Sequence, residues 1–126
     1  MPTEAAHLDE VQRNEGVADM LLQSAGPYPE WAITALFYAA LHLAEAYFFR
    51  IGVGHSAPPQ RRVHFQRERL MLRLGALRNV VDSYKILKTY SENARYDCRQ
   101  FNSEEAVRIK QNFYAPVSQL IRSLLT

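Results

Sequence analysis

The run from Trp31 to Phe49 restricts the fold of this chain more than any other feature. Within it only Thr34, His42 and Glu45 are clearly polar. A helix that is apolar nearly all round must be covered on most sides. Its alanines, among them Ala32, Ala35, Ala39, Ala40 and Ala44, favour helix and let neighbouring helices approach closely. The run therefore reads as the central helix of an all-α domain. At about 20 apolar residues it also has the length of a bilayer-crossing segment. His42 and Glu45 near its middle, and an amphipathic remainder able to cover it, favour a core helix and no membrane association.

The polar side chains of this helix are not scattered. Thr34, Tyr38, His42 and Glu45 follow an i, i+4, i+8, i+11 rhythm and share one face. Buried polar groups ordinarily find partners on neighbouring elements, so a seam satisfied by other helices is one reading. A seam facing a site shared with distant residues is the other. Trp31, at the start of the run, is read as a core ring whose loss would destabilise the fold.

The chain of 126 residues, 48% of them hydrophobic, suffices for one core, and a single domain over residues 1–126 is expected. The first residues are polar and acidic, with no basic stretch ahead of an apolar one, so no signal peptide is read there. The lone cysteine, Cys98, has neither an internal disulfide partner nor a metal-ligand neighbourhood. A cytoplasmic protein fits these features. Charge is divided unevenly. Residues 1–60 hold Arg13 and Arg50 against seven acids, a balance of −5, whereas residues 61–126 hold thirteen basic residues against six acids, a balance of +7. Such a division suits a basic surface for nucleic acid or another polyanion. It equally suits an acidic first helix packed beside basic helices, within one chain or across a dimer interface.

Five helical segments are expected. The first spans about Thr3 to Ser24, with Thr3 as cap and an apolar stripe from Leu8, Val11, Val17, Ala18, Leu21 and Leu22. Gly26, Pro27 and Pro29 separate it from the central helix, and Pro29 suits a first helical position. Residues 52–60, rich in glycine and proline, form the long loop, expected to be the least ordered internal region. A third helix over about Arg61 to Leu77 places Val63, Leu70, Leu74 and Leu77 on one side and Arg61, Arg62, Arg67, Arg69, Arg73 and Arg78 on the others, with Gly75 bending or ending it. A fourth covers about Val80 to Tyr96. The fifth, about Glu104 to Leu125, is capped by Asn102 or Ser103; Ser103-x-x-Ala106 lacks a full capping box, and Pro116 should kink or split the helix.

No phosphate-cradling glycine motif, His-Glu-x-x-His motif or Gly-x-Ser-x-Gly elbow occurs. His7, His42, His55 and His64 lack metal-ligand spacing, so neither a metal nor another cofactor is expected. Two clusters remain. One is His64 to Arg69, in which His64 and Arg67 share a helix face. The other is Tyr90 to Arg99, in which Ser91, Arg95 and Arg99 are spaced at i, i+4. Arginine forks grip phosphates or carboxylates, and tyrosine can stack or donate a hydrogen bond. The alternative is structural: Arg95 paired with an acid on another helix and Tyr96 in the core.

The order Trp31-Ala32-Ile33-Thr34-Ala35-Leu36-Phe37-Tyr38-Ala39-Ala40-Leu41-His42, then His64-x-x-Arg67, Tyr84-x-x-Leu87 and Ser91-x-x-Ala94-Arg95-Tyr96 resembles the HEPN family of small bacterial helical proteins. The resemblance covers roughly Trp31 to Tyr96. It implies an up-and-down bundle of four to five helices, pairing as a homodimer and engaged with RNA or nucleotides. Members include ribonuclease toxins of toxin–antitoxin systems and partners of minimal nucleotidyltransferases. The ribonuclease branch carries an Arg followed four to six residues later by a His. Here Arg95 is followed by Tyr96-Asp97-Cys98-Arg99-Gln100-Phe101-Asn102, with no His. The resemblance thus implies a binding module for RNA, a nucleotide or a protein partner, with Arg67, Ser91, Arg95 and Tyr96 as binding residues. The alternative is a metal-independent ribonuclease with a rearranged site, in which Arg95 holds the phosphate and His42 or His64 handles protons.

Overall fold

The computed structural model describes residues 2–23, 28–53 and 64–126, and every regular element among them is helical. Helix α1 (Glu4–Gln23) starts where the Ala6 N–H donates to Thr3 Oγ1 at 3.1 Å, the expected cap. It packs along α2 (Pro29–Ile51) through buried Val11 and Ala18 and the half-buried Leu8, Leu21 and Leu22. Val17, assigned to the same stripe, faces outward instead. Pro29 occupies the first turn of α2. Gly52 ends the helix at φ 72°, where its N–H reaches the Phe48 and Phe49 carbonyls; glycine takes that left-handed backbone with no Cβ penalty.

Helix α2 is the core. Ala32, Ile33, Leu36, Phe37, Ala39, Ala40, Leu43, Ala44 and Phe48 are all buried. It is the one described helix long and apolar enough to cross a membrane, yet 78% of its apolar window is buried inside the fold. Its cover comes chiefly from α1 and α4 (Val81–Tyr96), then from the C-terminal helices α5 (Ser103–Ile109) and α6 (Ala115–Leu124). Helix α4 faces the core with Val81, Tyr84, Leu87 and Ser91.

Helix α3 (His64–Arg73) departs from the expected pattern. Its buried side chains are Arg67 and Met71, while Leu70 and Leu74 are half-buried. The arginine assigned to an outer face thus points inward, because a buried carboxylate on α2 draws it there. Gly75, at φ 60°, reverses the chain after α3, and a 3₁₀ turn (Arg78–Val80) leads into α4. The loop expected over residues 52–60 lies, from residue 54 on, outside the described residues, as do Arg61, Arg62 and residues 25–27.

The C-terminal segment is split at Pro116, as its sequence requires. Pro116 has no N–H for the carbonyl four residues back. The helix relieves the conflict with a π-helical turn (Lys110–Tyr114), in which the Ala115 N–H reaches the Lys110 carbonyl. Its start carries a capping box after all, one residue earlier than sought. Asn102 Oδ1 accepts the Glu105 N–H at 2.8 Å, and Glu105 Oε1 accepts the Asn102 N–H at 3.1 Å.

Acids of α1 meet cations from the rest of the chain. Glu4 pairs with Arg50 at 2.7 Å, Glu15 with Arg122 at 2.8 Å and Asp19 with Lys110 at 2.7 Å. The Tyr114 hydroxyl also donates to Glu15; burial, then this carboxylate, pushes its pKa up. Part of the charge division is therefore satisfied inside one chain.

Trp31 is not in the core: it is 59% exposed at the first turn of α2. Leu36→Ala, at a fully buried position, should cost about 2–5 kcal/mol in urea unfolding. Trp31→Ala should cost no more than about 0.5 kcal/mol in the same measurement, as at an ordinary surface position.

Candidate functional site

Each member of the polar seam on α2 has a partner. Thr34 Oγ1 donates to the Glu30 carbonyl at 3.1 Å. Tyr38 Oη accepts from Arg95 Nη1 on α4 at 2.8 Å. His42 Nδ1 lies 3.0 Å from His7 Nδ1 on α1. Glu45 Oε1 accepts from Arg67 Nε on α3 at 2.9 Å. One seam therefore ties α2 to three other helices, with Tyr38 and His42 half-buried and Thr34 and Glu45 buried.

The Glu45–Arg67 pair is almost wholly buried. Two isolated charges there would be very costly, and truncating one partner strands the other, at about 3–5 kcal/mol. Arg67, a candidate binding residue, is thus held inside the fold. Ser91 is also fully buried, with its Oγ lacking a hydrogen-bond partner among the described residues. The Tyr84 hydroxyl, fully buried nearby, lacks one too, and burial raises its pKa.

Arg95 and Tyr96 lie at the surface end. The guanidinium of Arg95 is clasped by aromatic rings, with its Cζ 4.9 Å from the Tyr96 centroid, 5.4 Å from Tyr38 and 5.9 Å from Phe37. Nε donates to the Ser91 carbonyl at 3.3 Å, and Nη1 also approaches Tyr96 Oη at 3.5 Å. No carboxylate pairs with Arg95 among the described residues, which removes the structural alternative of an acid partner. Ring faces attract a cation without cancelling its charge, so an oriented cation stays available to an anion.

Arg95 lines a cleft of about 330 Å³ together with Glu30, Trp31, Thr34, Cys98 and Arg99. The turn after α4 builds its far wall. The Asn93 carbonyl accepts the N–H groups of Asp97 and Arg99, each at 3.2 Å, and Cys98 takes a left-handed φ of 57°. That turn swings Arg99 back over Phe101 (4.3 Å) and Tyr90 (5.4 Å). Glu30 Oε2 accepts the Phe101 N–H at 3.3 Å and anchors the same turn to α2.

The candidate histidines separate. His64 packs against the Phe37 ring that Arg95 also covers, tilted by 57° with 5.5 Å between centroids. Its Nδ1 is buried without a hydrogen-bond partner among the described residues. Burial first, then Arg67 and Lys88, lowers its pKa. His42 instead joins His7, and its pKa is lowered by burial against the opposing pull of Glu10. The structure thus brings His64 and Arg95 to one ring and leaves His42 on the α1 side. Among the described residues no group of three His, Cys, Asp or Glu side chains is arranged to hold a metal ion. Trp31, Glu30 and Arg99 were not singled out as site residues. The i, i+4 spacing of Arg95 and Arg99 was the available signal for Arg99, whereas nothing local marks Trp31 as exposed.

Compared with known proteins, the chain matches no family model, no curated protein and no solved structure.

The two lowered histidine pKa values set a pH dependence. Folding favours the neutral rings, so the unfolded chain binds more protons and stability rises with pH. The stability is fully present above the unfolded value of 6.5 and is lost as pH falls through the lower folded values. The melting temperature by circular dichroism should therefore drop as pH is taken from 7.5 to 5, and His42→Gln should flatten the slope. A melting temperature unchanged over that range would contradict the burial of His42 and His64 as neutral rings.

Proposed function

We propose that this protein is a HEPN-like helical module, cytoplasmic and homodimeric, that binds RNA or nucleotides through the cleft beside Arg95. The observation that carries the reading is a half-exposed guanidinium held by three aromatic rings, unopposed by a carboxylate among the described residues, next to an exposed tryptophan. A phosphate is the anion that an arginine edge suits, and an exposed indole is a surface on which a base stacks at about 1–3 kcal/mol. The uneven charge supports the same reading, because the basic part of the chain supplies Arg95 and Arg99. The absence of a His shortly after Arg95 supports binding without catalysis.

The second reading, a metal-independent ribonuclease, draws support from one contact: His64 and Arg95 cover the same Phe37 ring. A histidine kept neutral near pH 7 is suited to accept a proton. His42, engaged with His7, is not part of that reading.

Fluorescence anisotropy with a short labelled single-stranded RNA over a salt series tests both. Affinity should fall as salt rises, because phosphate contacts release counterions. Arg95→Ala should weaken binding by about ten-fold or more, the weight of one charge-assisted hydrogen bond. A gel of the same mixtures should show intact RNA; cleavage lost in both Arg95→Ala and His64→Ala would establish the ribonuclease reading instead.

A further inference from the structure

The described cations differ in how closely a carboxylate holds them, and several surface ones, Arg69, Arg73, Arg78 and Lys85 among them, have no ion pair among the described residues. Arg50, Arg67, Lys88, Lys110 and Arg122 each sit 2.6–2.9 Å from a carboxylate. Arg95 and Arg108 pair with none among the described residues, and Arg99 reaches Glu105 only at 3.5 Å. These three loosely held arginines line two clefts. Arg95 and Arg99 line the first, near Trp31, and Arg99 and Arg108 line a second of about 270 Å³ with Tyr90, Asn112 and Phe113. Arg99 is the divide between them.

The carboxylates at these clefts are turned toward protein amides. Glu30 Oε2 accepts the Phe101 N–H, and Glu105 Oε1 accepts the Asn102 N–H within its capping box. One oxygen of each carboxylate is thereby engaged by the backbone, and the charge of Glu105 is also partly met by Arg99. The guanidinium of Arg99 lies over two rings, with its Cζ 4.3 Å from the Phe101 centroid and 5.4 Å from that of Tyr90; such ring contacts leave its charge available to an anion. Asn112, exposed, offers a donor and an acceptor to a base edge in the second cleft.

Resting on the nucleotide-binding reading above, we infer that the ligand is a single-stranded nucleic acid of at least two nucleotides that occupies both clefts. Its linking phosphate sits on Arg99 and displaces the Glu105 contact. Each cleft is at the small end for a ligand pocket, so one nucleotide fills one cleft. A repeating polyanion is the ligand that uses a row of arginines with a stacking platform at its end.

Trp31 is the only tryptophan, so its fluorescence reports the first cleft directly. The intact protein is titrated with 5′-phosphorylated oligouridylates of one to four nucleotides. Affinity should rise by about ten-fold or more from one to three nucleotides, as added phosphate and base contacts accrue. Arg108→Ala and Asn112→Ala, both at exposed positions, should abolish that gain and leave uridine monophosphate binding unchanged. Length-independent quenching overturns the two-cleft inference while sparing the nucleotide-binding reading, and so does an Arg108→Ala defect equal at every length. An absence of quenching at every length overturns both. A tetraglutamate peptide binding as tightly as the trinucleotide overturns the nucleic-acid assignment.

Discussion

Glu45 lies on the most buried helix of the chain, and its carboxylate is tolerated there because Arg67 Nε comes within 2.9 Å of it. The pair decides more than its own position. Helix α3 has few fully buried apolar anchors, with Met71 alone completely enclosed. A short helix with so little apolar area would dock loosely on packing alone. The ion pair favours one register against α2, since shifting the helix would pull two buried charges apart. That register carries His64 onto the Phe37 ring, and Phe37 in turn touches Tyr84, Tyr38 and the Arg95 guanidinium. The surface cleft beside Arg95 is thus connected to the buried pair through one aromatic ring.

The division of charge along the chain is resolved in two ways. Three acids of α1 neutralise cations at the end of α2 and on the C-terminal helices. Such exposed pairs contribute little stability individually. Their consequence is spatial: they occupy cations on the α1 side and leave Arg95, Arg99 and Arg108 loosely held on the side of the α4–α5 turn. The capping box of α5 contributes to the same outcome, since Glu105 is drawn to the Asn102 N–H and only partly engages Arg99.

Much of the fold was legible. The apolar run from Trp31 to Phe49 demanded a covered central helix, Thr3, Pro29 and Gly52 marked helix ends, and Pro116 required a break that the π turn supplies. Less of the candidate site was legible. The spacing of Ser91, Arg95 and Arg99 drew attention to α4, but spacing alone did not separate Ser91, which is buried, from Arg95, which is half-exposed. Trp31 was misread because a tryptophan heading an apolar run has no local mark of exposure. The first turn of a helix can project beyond the elements that cover its middle, and here it does.

Composition and periodicity by themselves determined the all-helical class, the core helix and where most helices stop, because those follow from side-chain period and from the backbone limits of glycine and proline. Only the tertiary structure decided which polar groups meet. The pairings of His42 with His7, Tyr38 with Arg95 and Glu45 with Arg67 span 35, 57 and 22 residues of chain. Hydrogen bonds and ion pairs act over a few ångströms, so partners that far apart in sequence are chosen by how the helices pack.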